Sequence, residues 1–130
     1  MILVDSSVWI DFFNGAENTE TDKLNEILGL EEVVIGDLIL AEVLQGFRND
    51  KDFNTAKKVL TSLTVHDLLG KEYAIKSANN FRKLRKKGVT VRKTADVIIA
   101  TYCIENKIPL LFTDKDFIPF VDNLRLKSAI

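Results

Sequence analysis

Residues 2–15 read Ile-Leu-Val-Asp-Ser-Ser-Val-Trp-Ile-Asp-Phe-Phe-Asn-Gly. Three apolar residues in a row, without polar alternation, describe a strand covered on both faces, as in a parallel sheet. The Asp5-Ser6 pair then reads as a helix start. Val8, Trp9, Phe12 and Phe13 follow at helical spacing, and Asn14-Gly15 closes that helix. A strand running directly into a helix is the unit from which doubly covered sheets are built.

The rest of the chain repeats the pattern. Thr19–Leu30 reads as a helix with Leu24, Ile27 and Leu28 on one face, and Glu32–Gly36 as a second buried strand. Asp37 is placed as the N-cap of a helix striped by Leu40, Val43, Leu44 and Phe47. A helix over 52–62 leads to a strand at Leu63–His66. Lys71–Lys87 is a long helix with Tyr73, Ala74, Ala78, Phe81 and Leu84 predicted inward and Gly88 ending it. Thr94 caps the next helix, Pro109–Phe112 is a strand, Asp114–Val121 a short helix, and Leu124–Lys127 a last strand. Strands alternating with helices predict a mostly parallel sheet with helices on both faces, within one domain spanning residues 1–130.

Composition narrows the function classes. The 130 residues are 46% apolar and 28% charged, ordinary for a globular chain. The single cysteine, Cys103, excludes an internal disulfide, and one Cys with one His, His66, cannot build a Cys/His zinc site. His66 is read as structural or solvent-facing. There is no apolar run long enough for a membrane span and no basic, apolar leader at Met1, so a cytoplasmic location is expected. Neither phosphate-cradling glycine loop is present, and no nucleophile-elbow or Cys/His signature appears. The net charge of −1 conceals an asymmetry. Between Tyr73 and Ala95 there is no acid, while Lys76, Arg82, Lys83, Arg85, Lys86, Lys87, Arg92 and Lys93 supply a basic segment. Such a segment binds a polyanion locally or is simply a solvated helix face.

In an open parallel sheet the ligand crevice lies beyond the carboxyl ends of the strands. Asp5 follows the first strand and Asp114 follows Pro109–Phe112, with Thr113 between. Asp96 and Glu42 are embedded in apolar text, Thr-Ala-Asp-Val-Ile-Ile-Ala and Ile-Leu-Ala-Glu-Val-Leu, and can reach the same edge. A carboxylate near a buried helix face is unfavourable unless paired or metal-bound. Each acid also has a structural reading: Asp5 and Asp114 as caps, Asp96 at a helix N-terminus, Glu42 on an exposed face. Clustered carboxylates without His or Cys suit Mg²⁺ or Mn²⁺, ions that serve phosphoryl chemistry.

Four motifs then carry a resemblance over essentially the whole chain: Leu-Val-Asp-Ser-Ser-Val-Trp-Ile-Asp-Phe-Phe at 3–13, Leu-Ala-Glu-Val-Leu-Gln-Gly-Phe at 40–47, Arg-Lys-Thr-Ala-Asp-Val-Ile-Ile-Ala at 92–100 and Leu-Leu-Phe-Thr-Asp-Lys-Asp-Phe at 110–117. In these the sequence resembles PIN-domain ribonucleases, specifically the VapC-type toxins of toxin–antitoxin pairs. The resemblance implies a three-layer α/β/α domain with a central, mostly parallel sheet of four to five strands. It implies an acidic quartet of Asp5, Glu42, Asp96 and Asp114, with Asp5, Asp96 and Asp114 as Mg²⁺ ligands and Mn²⁺ as a possible substitute. Ser6, Thr113 and Asp116 are supporting positions, Ser6 having a helix cap as its competing role. Arg82, Arg85, Lys86, Lys87, Arg92 and Lys93 are candidates to hold flanking RNA phosphates. Water attack on an RNA phosphodiester would leave a 5′-phosphate and a 3′-hydroxyl. The family further implies a homodimer and a VapB-like, DNA-binding antitoxin presenting Arg to the carboxylates. Trp9, Phe12, Phe13, Leu44 and Phe47 would line its groove or serve as core. Competing classes are a catalytically silent PIN-like binding protein, a deoxyribonuclease, and a receiver-type signalling domain with Asp67 as phosphoacceptor.

Overall fold

The computed structural model describes residues 1–130. Four short strands, β1 (Ile2–Val4), β2 (Val33–Gly36), β3 (Thr64–His66) and β4 (Leu110–Leu111), form one sheet in the order β3-β2-β1-β4, every pairing parallel. Helices α1 (Ser6–Phe13) and α2 (Thr19–Ile27) connect β1 to β2, and α3 (Asp37–Leu44) and α4 (Asp50–Thr61) connect β2 to β3. Both crossovers step in the same direction across the sheet. Right-handed connection therefore sends all four helices to one face, where α1 packs on α2 and α3, and α3 on α4. The connection from β3 back to β4 runs the other way. Its helices α5 (Lys71–Lys86) and α6 (Thr94–Asn106) accordingly cover the opposite face and pack on each other. A 3₁₀ turn (Lys115–Phe117) and α7 (Ile118–Leu124) follow β4. The result is the expected three-layer α/β/α arrangement, with strand count at the lower expected value.

The core is one cluster of 27 buried apolar residues, with β1, β2 and β4 buried along their length. This explains why those strands read as unbroken apolar runs. Helix α6 is buried almost all round from Asp96 to Thr101, which carries Asp96 into the interior with its apolar neighbours.

Several expectations change on contact with the structure. The segment expected as a last strand, Leu124–Lys127, instead ends α7 and turns at Arg125, whose φ is 66°. Only one parallel bridge, Ser128 to Leu110, extends the sheet there, because Arg125 and Lys127 stay in solvent and only Leu126 is buried. The single helix expected over Asp114–Val121 breaks in two. Asp114 caps the 3₁₀ turn, and Pro119 at the start of α7 has no N–H to continue an earlier helix. The N-cap of α3 is Gly36 rather than Asp37, and Asp37 Oδ1 accepts from Leu38 N and, at 3.1 Å, from Leu68 N. Asp37 thus ties the start of α3 to the loop beyond β3. Likewise Lys93 precedes α6 as its cap position, with Thr94 the first helical residue.

The long helix α5 is rotated from the expected face. Leu84 is buried, but its inward companions are Ser77 and Asn80, and Asn80 Nδ2 donates to Thr101 Oγ1 at 2.9 Å. Ala74 and Ala78 are exposed and Tyr73 and Phe81 half-buried. A buried, satisfied amide–hydroxyl pair between α5 and α6 outweighs the apolar count because it fixes their register. The displaced apolar stripe borders an open groove of about 600 Å³ with Leu69, Val97 and Ile98.

His66 ends the edge strand β3, where its Nδ1 lies 2.8 Å from the Tyr102 hydroxyl, a structural contact. Asp67 is exposed beyond that same edge strand and there is no fifth strand, so a receiver-type site has neither its central position nor its partner element.

Gly36 sits where β2 passes into α3 directly under the fully buried Leu68. A Cβ there would lie no more than 2.9 Å from Leu68 Cγ, Cδ1 and Cδ2. Gly36→Ala is expected to destabilise by about 1–3 kcal/mol through overpacking. In a double-mutant cycle read by urea unfolding, Leu68→Ala should recover part of that loss. Additive effects would mean the contact is not the cause.

Candidate active site

The crossovers leave β1 in opposite directions from those that reach β4, so the crevice opens between the carboxyl ends of these two strands. Asp5 stands immediately after β1 and Asp114 shortly after β4. Glu42 comes from α3 on one face and Asp96 from the first turn of α6 on the other. All four line one pocket of about 310 Å³ together with Ser6, Ser7, Ile10, Gln45 and Lys93.

Asp5 is 3% exposed and serves as the N-cap of α1. Its Oδ2 accepts from Ser7 N at 3.1 Å and from Ser7 Oγ at 2.6 Å. Capping and a place in the acid pocket are therefore one geometry, not rival readings. The Ser7 hydroxyl also accepts from Thr113 N at 3.3 Å, which joins the two strand ends. The serine that organises Asp5 is thus Ser7, whereas Ser6 lies beside Glu42 and lowers its pKa. The signal for Ser7 was present: an N-cap acid receives the backbone N–H two residues on, and a serine there adds its hydroxyl. Thr113 contributes through its backbone N–H.

Burial pushes the Asp5 carboxyl up from the ordinary value, the Ser7 bonds pull it down, and Asp114 adds repulsion. Glu42 is raised by burial and then by Asp5. Asp96, 5% exposed, is pushed up to about 7 by burial, with Asp5, Asp114 and Glu42 adding repulsion and Lys93 opposing them. Glu42 Oε1 and Asp96 Oδ2 are buried without a hydrogen-bond partner. Asp96, Asp114 and Asp116 place one carboxylate oxygen each within 4.8 Å of one another. Orphaned buried oxygens among oxygen-only donors fit a hard divalent cation. Asp116 thus stands close to Asp96 and Asp114, whereas Asp5 lines the pocket with those two and Glu42.

The basic candidates separate. Lys93 lines the acid pocket, with Nζ 4.0 Å from Asp114 Oδ2, and Arg92 pairs with Asp116 at 3.2 Å. Arg82 and Arg85 border the α5–α6 groove, with Arg85 over the Phe81 ring, and Lys86 and Lys87 are exposed at the end of α5. None of these four lines the acid pocket. Trp9 is fully buried core, while Phe13 and Phe47 meet edge-to-face and line a small cleft with Ile10, Val43 and Gly46. Cys103 is buried, with its thiol pushed up to about 12, and so carries no nucleophile.

Residues 2–120 match the PIN domain family. The chain belongs to that family. It is 29% identical to the "VapC ribonuclease Mb1587" of Mycobacterium bovis and to "Ribonuclease VapC11" of Mycobacterium tuberculosis, in each case over 98% of both chains. Its fold superposes on the VapBC2 complex of Rickettsia felis bound to promoter DNA, with a TM-score of 0.77 at 16% identity over 98% of this chain and 97% of that one. VapBC-1 of nontypeable Haemophilus influenzae gives 0.75 at 16% identity over 98% and 96%. Mycobacterium tuberculosis VapC20, described as a sarcin-ricin loop cleaving toxin, gives 0.65 at 14% identity over 91% and 93%. These relatives bear out the resemblance to VapC-type proteins read from the four motifs.

The raised carboxyls have a consequence for stability. Between the unfolded value near 3.8 and the folded value of about 7, Asp96 keeps its proton only in the folded protein. Its contribution is therefore full at low pH and is lost as pH rises through 7. Without divalent cations, wild-type protein should lose stability between pH 5 and 8, by roughly 1–3 kcal/mol more than Asp96→Asn does. Thermal melts over that range check this, and parallel pH curves for the two proteins would refute it.

Proposed function

We propose that this chain is a divalent-cation-dependent endoribonuclease toxin of a toxin–antitoxin pair, acting at the pocket of Asp5, Glu42, Asp96 and Asp114. The observation that carries the reading is the convergence of these acids at one sheet edge, with buried oxygens on Glu42 and Asp96 left unpartnered. Family membership and relatives named as VapC ribonucleases support it.

Asp5, Asp96 and Asp114 are the residues to hold the cation, Asp5 oriented by Ser7 and Asp114 fixed by accepting from Asp116 N at 2.9 Å. When bound, Mg²⁺ or Mn²⁺ supplies charge neutralisation and polarises both a water and the attacked phosphate. Glu42, raised by burial and by Asp5, is placed to take the proton from the attacking water. In-line attack breaks the P–O3′ bond and leaves a 5′-phosphate and a 3′-hydroxyl. Asp5 and Asp96 are themselves buried beside the packed core, which limits how far they can rearrange.

The same pocket suits an arginine from an antitoxin segment, since a guanidinium pairs in two places with a carboxylate. Antitoxins are present in the neighbouring VapBC complexes of Rickettsia felis and Haemophilus influenzae. Ile10 lines both the acid pocket and the Phe13–Phe47 cleft, so one segment can fill both. The resemblance to VapC-type proteins extends the proposal to a homodimer. No helix is long and apolar enough to cross a membrane. We place the protein in the cytoplasm, beside its RNA substrate.

Purified wild-type protein is expected to cut total cellular RNA at discrete sites in Mg²⁺ or Mn²⁺ and to stop on adding EDTA. Asp96→Asn should lower cleavage at least ~10²-fold while remaining folded by circular dichroism. Gel mapping of fragment ends checks both. Cleavage that survives Asp96→Asn would overturn the assignment, and a wild type that binds RNA without cutting it would favour a silent binding role.

A further inference from the structure

Arg92 and Lys93 are adjacent in the extended segment that enters α6, and both turn onto the acids. Lys93 occupies the cap position of α6 but makes no side-chain cap hydrogen bond. Its side chain instead reaches the pocket of Asp5, Glu42, Asp96 and Asp114, where it is the sole base among the lining residues. It remains 62% exposed, free to change rotamer. Arg92 is differently held: its Nη2 lies 3.2 and 3.4 Å from the two oxygens of Asp116. Asp116 in turn donates its backbone N–H to Asp114 Oδ1.

We propose that Lys93 is a tethered cation of this site, held over the carboxylates by the Arg92–Asp116 ion pair, that yields to the divalent cation and then takes a phosphoryl oxygen of the RNA strand. This rests on the ribonuclease reading above. The two side chains suit the two jobs. Arginine reaches both oxygens of one carboxylate through a single nitrogen, Nη2, while lysine is a mobile point charge with three rotatable donors. Four acids crowded beside buried apolar residues favour a nearby cation when no ion is bound. Lys93 would be repelled by like charge from a divalent cation bound at the carboxylates and would be drawn back by a phosphodiester. Lys93 therefore weakens cation binding in the free protein and strengthens engagement of RNA. A solvated surface lysine does neither. On this account Asp116 is the anchor of the tether and not a cation ligand, although its oxygens stand close to those of Asp96 and Asp114.

The experiment measures Mn²⁺ binding by titration calorimetry, without RNA, beside steady-state RNA cleavage in Mg²⁺. It compares wild type, Lys93→Met, Lys93→Arg and the charge-neutral double variant Arg92→Gln/Asp116→Asn. Lys93→Met should bind Mn²⁺ roughly three- to tenfold more tightly and cleave ~10²-fold more slowly. Lys93→Arg should return Mn²⁺ affinity to the wild-type value and recover part of the cleavage. The double variant should bind Mn²⁺ no more weakly than wild type, yet lose cleavage, with Lys93→Met adding little on top of it. Unchanged or weaker Mn²⁺ binding by Lys93→Met, or cleavage at the wild-type rate, overturns the proposal. Loss of Mn²⁺ affinity in the double variant would make Asp116 a ligand and overturn the tether. If wild type cuts no RNA, the ribonuclease reading fails separately, and the Mn²⁺ titration still decides whether Lys93 is the site's counter-cation.

Discussion

Everything at the functional edge of this protein depends on keeping several carboxylates together with little water around them. Asp5 and Asp96 are nearly buried, and the carboxyls of Asp5, Glu42 and Asp96 are all held above their ordinary values. Burial is the first cause in each case and repulsion from a neighbouring acid contributes in each. Such an arrangement is stable only with compensating partners. The protein supplies a few: the Ser7 hydroxyl and amide for Asp5, the Asp116 amide for Asp114, and Lys93 across the pocket. It leaves Glu42 Oε1 and Asp96 Oδ2 without any. That unmet electrostatic demand is what the proposed divalent cation, or a guanidinium from a partner, would answer.

The architecture serves that edge economically. Strands of two to four residues suffice because β1, β2 and β4 are buried along their length, only the edge strand β3 being exposed, and the turns at their carboxyl ends are short. The reversal of crossover direction between β1 and β4 opens a gap at the sheet edge. Asp5 and Asp114 reach it from the strands, Glu42 from one helical layer and Asp96 from the other. The hydrogen bond from Thr113 N to Ser7 Oγ ties residues more than a hundred positions apart, and so couples the two halves of the site. The basic segment between Tyr73 and Ala95 divides by the same logic. Arg92 and Lys93 immediately precede α6 and share its approach to the acids, whereas Arg82 and Arg85 sit on α5 and border a separate groove.

What the sequence by itself determined follows from local chemistry. Unbroken apolar runs at Ile2–Val4 and Val33–Gly36 require burial on both faces, hence parallel strands and alternating helices. Asp5 and Asp114 follow strands, and Glu42 and Asp96 sit in apolar text, so four acids at one edge were legible before any contact was known. Only the tertiary structure decided which local option won where several were open. The inward face of α5 went to Ser77 and Asn80 because Asn80 meets Thr101 on α6, a partner no periodicity reveals. The tail beyond Leu124 stayed out of the sheet but for Ser128, since a strand needs a partner edge along its length and Leu110 offers one bridge. Asp37 lost the cap to Gly36 and gained Leu68 N, thirty-one residues away. Arg92 and Lys93 acquired their acidic partners for the same reason, whereas Ser7 meets Asp5 by local capping and only its bond from Thr113 N needed the fold. Patterns of apolarity and capping are properties of neighbours in the chain, whereas the pairing of a particular donor or charge depends on where the fold brings distant segments together.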